Sequence, residues 1–67
     1  MADMDEIRTL IAKAEAMGAI VNTVLDVDAW MDGQEVYETV QVLGLKGVGP
    51  WPMSLIAATE TLRKVMA

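Results

Sequence analysis

A two-layer α+β fold, in the order helix, β-hairpin, helix (αββα), is what this sequence predicts, and three observations carry the prediction. Apolar residues recur with helical spacing at both ends of the chain. β-Branched residues crowd its middle, and an Asp32-Gly33 pair stands between two β-rich runs. At 67 residues the chain has room for a single small domain.

The first element reads as a helix over about residues 4–17. Met4, Ile7, Leu10, Ile11, Ala14 and Met17 fall on one helical face. Asp3 and Glu6 have the spacing of a capping box, and Gly18 is a natural left-handed stop. The last element reads as a helix over about residues 52–66. Pro52 suits its first turn, Leu55, Ile56, Thr59, Leu62 and Met66 share a face, and Arg63 and Lys64 suit its C-terminal dipole.

Between them, Ile20, Val21, Thr23, Val24 and Val27 form one β-rich run, and Val36, Tyr37, Thr39, Val40 and Val42 the other. Strands are expected at about 20–31 and 34–43, turning at Asp32-Gly33. That turn would pair Leu25 with Val40 and Thr23 with Val42. It separates an apolar face from a polar one, with a single offender: Glu38 lands on the apolar face, which a bulge would excuse. The same segment also fits helical stripes through Ile20, Val24, Val27 and Met31, and through Val36, Tyr37, Val40 and Leu43. An all-α fold with a helix-hairpin-helix C-terminal half is therefore the alternative. A Gly-rich loop covers residues 44–50 in either case.

Composition narrows function. There is no cysteine and no histidine, which removes disulfides, thiolate metal sites and the commonest general base. No calcium-loop pattern is present, and no metal or cofactor is expected. The apolar fraction is 54%, above the usual range of about 45–50%, in a chain too short to cover that surface well. Association with another protein chain, itself or a larger partner, is the expected relief. A net charge of −5 disfavours nucleic acid and suits a basic partner. The longest apolar run, Leu55 to Ala58, falls far short of the roughly 18 residues a membrane helix needs. The acidic start is unlike a signal peptide, so a cytoplasmic location is expected.

Two constellations stand out. On the polar hairpin face, Asp26, Asp28, Trp30, Glu35 and Tyr37 would lie together, as two aromatic anchors in an acidic rim. No nucleophile with a base accompanies them, so an enzyme is not expected. The second is Leu45-Lys46-Gly47-Val48-Gly49-Pro50-Trp51, which resembles the hairpin of helix-hairpin-helix DNA-binding modules, especially that of base-excision DNA glycosylases. The resemblance implies that Gly47 and Gly49 face a phosphate at the mouth of the next helix, beside Lys46, with Ile56 the apolar position of that helix. Pro52 removes one amide donor there, and no aspartate follows Asp32 to serve as the glycosylases' catalytic group.

The leading expectation is a non-enzymatic interaction protein, either a small oligomeric assembly subunit or an inhibitor docking on a larger protein. In length and layout the chain looks like the small head-to-tail joining proteins of tailed phages, a likeness of architecture without a shared motif. A nucleic-acid contact module within a larger complex is the second expectation.

Overall fold

A computed structural model of the chain describes residues 4–67. Its elements run α1 (Met4–Ala16), β1 (Ile20–Leu25), α2 (Val27–Met31), β2 (Tyr37–Leu43), β3 (Met53–Ser54) and α3 (Leu55–Val65). The class is α+β: an antiparallel sheet in the order β1-β2-β3, with α1 and α3 packed on it and on each other. The all-α alternative does not form, because residues 37–43 are the central strand.

Helix α1 follows its apolar stripe. Ile7, Leu10 and Ala14 are buried, acids occupy the first turn and Lys13 the last. Past its end, Gly18 N–H donates to the Glu15 carbonyl at 3.0 Å and Ala19 N–H to that of Ala14 at 3.1 Å. Those two bonds are a Schellman stop. The expected cap at Asp3 lies outside the described residues.

The hairpin forms, but the expected strands are too long and the turn is not at Asp32-Gly33. β1 ends at Leu25, and the chain winds into α2 instead of running extended to residue 31. The Asp26 carboxylate caps this helix, accepting the Ala29 N–H at 3.1 Å. Gly33 then ends it: its N–H donates to the Trp30 carbonyl at 3.0 Å, and Gln34 N–H to that of Ala29 at 2.9 Å. Gly33 has a φ of +82°, which an L side chain rarely adopts. A hairpin turn and a Schellman stop both ask for glycine at positive φ, so the Asp-Gly pair alone does not separate them.

The strand pairing also differs from expectation by two residues. Thr23 faces Val40 rather than Val42, and Val21 faces Val42. An even slip preserves which face each side chain takes. Val40 and Val42 accordingly face the helices and are fully buried, as the expected apolar face requires. Beyond Val24 the register breaks: Val24 faces Thr39, Leu25 faces Tyr37, and Glu38 is left unpaired between them. This is the bulge that Glu38 called for. It carries Glu38 out to solvent and turns Tyr37 inward, half-buried against the core.

Pro52 does not start the last helix. Pro50 and Pro52 favour extended backbone in the residues before them, and the chain stays extended through β3, where Met53 pairs with Val40 and Ser54 with Thr39. Ser54 is then the cap of α3, its hydroxyl accepting the Ala57 N–H at 3.2 Å.

The core is Ile7, Leu10 and Ala14 of α1, Val40 and Val42 of β2, and Ala58 and Leu62 of α3, closed by Ala19 and Leu45 from the loops. Thr59 is the one buried polar residue among those described, and its hydroxyl donates to the Leu55 carbonyl at 2.8 Å. A core this small leaves little margin. Leu62→Ala removes a side chain with no exposed surface and should cost about 2–5 kcal/mol. A small domain without staples holds roughly 3–5 kcal/mol in all. Urea denaturation should therefore give the variant a midpoint well below that of the parent chain, and an unchanged midpoint would show the side chain to be expendable.

Candidate interaction surface

The five residues expected to share one hairpin face do not. Asp26 is spent on the α2 cap, and Asp28 is exposed in that helix's first turn. Trp30 projects from α2, 61% exposed. Glu35 and Tyr37 are drawn the other way, toward α1. Arg8 lies 3.6 Å from the Glu35 carboxylate, donates to the Glu35 carbonyl at 3.4 Å, and places its guanidinium 5.9 Å from the centre of the Tyr37 ring. The strand alternation that would have gathered these side chains stops at Leu25, and the bulge reverses it at Tyr37.

The glycine loop is likewise not a phosphate cradle at a helix mouth. A strand precedes it, not a helix, and Trp51, Pro52 and Met53 separate Gly49 from the capping Ser54. Gly47 is the third residue of a turn closed by Val48 N–H on the Leu45 carbonyl, with φ +91° and its open side against Val65. Gly49 lies under the Trp51 indole, where an added Cβ would sit 2.4 Å from the ring. Lys46 is exposed beside them. Trp51 itself is 66% exposed.

What the fold does bring together was only partly visible in the sequence. Of the large apolar residues left exposed, most lie on one stretch of chain: Met17, Ile20, Val24, Leu25, Val27, Trp30 and Met31. This stretch spans the α1–β1 turn, the edge strand β1 and the helix α2, which buries none of its residues. No charged residue occurs between Glu15 and Asp26. The composition gave the surplus of apolar surface. Its place followed from which strand takes the edge and from the short helix that replaces the strand's expected continuation.

A separate open groove of about 490 Å³ lies where the ends of three elements meet, walled by Met4, Gln34, Val36, Tyr37, Leu55 and Ile56, with Ser54 at its side. Among the described residues that line it, Tyr37 is the one titratable group, and the Ser54 hydroxyl already serves the α3 cap. Among the described residues no cluster of carboxylates is arranged to hold a metal ion, and no helix is long and apolar enough to cross a membrane.

Away from the apolar stretch, one ion pair joins the helices. Arg63 of α3 donates two hydrogen bonds to the Glu6 carboxylate of α1. Those bonds, with the Arg63 charge, hold the Glu6 carboxyl below its ordinary value against a smaller opposing effect of desolvation. The folded chain therefore binds fewer protons at this site than the unfolded chain. The pair's contribution is present above the ordinary carboxylate range and is lost as pH falls through it. Glu6→Gln should flatten the acid side of a plot of melting temperature against pH. A slope identical to that of the parent chain would show the pair to be without consequence.

Comparison of the chain with protein-family models, with curated proteins and with solved structures finds no match in any of the three.

Proposed function

We propose that this is a non-enzymatic interaction protein, a small assembly subunit or docking inhibitor that binds another protein chain through the exposed stretch from Met17 to Met31. The observation that supports this most is the concentration of exposed apolar side chains along and beside the edge strand β1, which carries no charge in an acidic molecule. A small soluble protein leaves large apolar residues exposed singly; a contiguous set is the mark of a contact surface. Trp30 is its natural anchor, an aromatic side chain held out from the body on a capped helix.

Acids at the α2 end of the stretch and just beyond it, among them the exposed Asp28 and Asp32, form the polar rim such surfaces carry. The glycine loop adds no support to a nucleic-acid reading, since Trp51 covers Gly49 and the loop is not at a helix mouth.

Trp30→Ala should lower affinity for the partner by about 2 kcal/mol or more, the usual cost at an aromatic anchor, with the circular dichroism spectrum unchanged. Affinity capture from native lysate and sedimentation of the purified chain would read the two halves of this proposal. A chain that stays monomeric alone and captures nothing overturns it.

A further inference from the structure

The partner can be named more closely. Resting on the reading just given, we propose that the exposed stretch binds a second copy of this chain, with the two β1 strands pairing edge to edge and antiparallel about a two-fold axis at Asn22. The two sheets would then form one, in the order β3-β2-β1-β1-β2-β3.

Three features favour a second copy as the occupant. The first is electrostatic. Two chains of net charge −5 repel one another over most of their surfaces. From Ala16 to Leu25 the sequence carries no charge, and β1 lies wholly inside that segment. Like-charged copies can approach along this edge without setting acid against acid, whereas a basic partner would gain nothing from an uncharged strip. Nor does β1 carry the lysine, proline or bulge that guards edge strands against pairing. The irregularity near Leu25 falls on the β2 side.

The second is register. A two-fold axis that pairs two antiparallel edges must run normal to the sheet, so side chains opposite one another share a face. Only even registers satisfy that condition. With Asn22 opposite its own copy, Ile20 meets Val24 on the outer face and Val24 meets Ile20. Both are apolar and more than half exposed in the single chain, at 62% and 55%. A shift by two positions in one direction sets Ile20 against Asp26, and in the other sets Val24 against Gly18. On the outer face, the register at Asn22 is the one that matches apolar to apolar and polar to polar.

The third is area. A stable dimer buries about 800 Å² on each partner, roughly a sixth of the 4512 Å² this chain exposes. A six-residue edge alone falls short of that. Antiparallel pairing directs the α2 end of each β1 toward the α1–β1 turn of the other copy. Val27, Trp30 and Met31 are exposed after one end of β1, and Met17 before the other. The apolar flanks extend the contact where the strand stops.

The test uses the absence of cysteine from the chain. Asn22→Cys introduces one thiol on the proposed axis, and mild oxidation should link it into a covalent dimer. Glu60→Cys, on the exposed side of α3, should not link at matched concentration. Val24→Lys, at an exposed position, should raise the dimer dissociation constant by about tenfold or more in sedimentation equilibrium, through loss of two symmetry-related apolar pairs. Its circular dichroism spectrum should match that of the parent. A parent chain that sediments as a monomer at tens of micromolar would overturn the proposal, as would equal cross-linking at positions 22 and 60. If the chain is monomeric but captures a different protein in a Trp30-dependent way, the interaction function stands and the second copy falls.

Discussion

Val40 and Val42 on the central strand are the contact that the remaining structure is arranged to protect. β2 is the one strand with a neighbour on each side, and both valines are sealed between the strand and helices α1 and α3. Ile7 and Leu62 meet them from the two helices, and together these four are the largest fully buried side chains among the described residues. With no disulfide to hold the chain, burial at this point has to do most of the work of offsetting chain entropy. The ion pair between Glu6 and Arg63 lies outside this knot. It ties α1 to α3 across the surface, and it adjusts stability with pH without deciding the fold.

The bulge at Glu38 shows how sequence pattern and packing are reconciled. Strict alternation would place a carboxylate in the row that ends in Val40 and Val42. One unpaired residue corrects this, and it delivers Tyr37 to the inner side, where Arg8 covers its ring. The need for such a correction could be read from Glu38 alone. The fate of Tyr37 could not, because it depends on the bulge having formed.

The two end helices were legible because their apolar residues repeat with the helical period and their termini carry recognisable stops. The α+β class was legible from the β-branched middle. The error lay in residues 26–36, where a cap at Asp26 and a stop at Gly33 bracket a helix of five residues, too short to show a period. Local hydrogen bonds decided that segment, and the signal they leave in sequence is shared with a hairpin turn. The same misreading displaced the candidate site. It put Trp30 and Tyr37 on one strand face, whereas the structure sends Trp30 outward on a helix and Tyr37 inward on a strand. The apolar surplus was visible in the composition, but its confinement to one edge required knowing the strand order.

The brevity of β3 sets a limit on growth. Only Met53 and Ser54 extend beside β2, too few to template another chain, so the sheet has one margin long enough to accept a strand. A sheet with two receptive margins can add copies without end and become a fibre. A sheet with one is saturated after a single addition. The two residues that interrupt Pro52 and the last helix thus make this sheet a terminator of strand addition rather than a repeating unit.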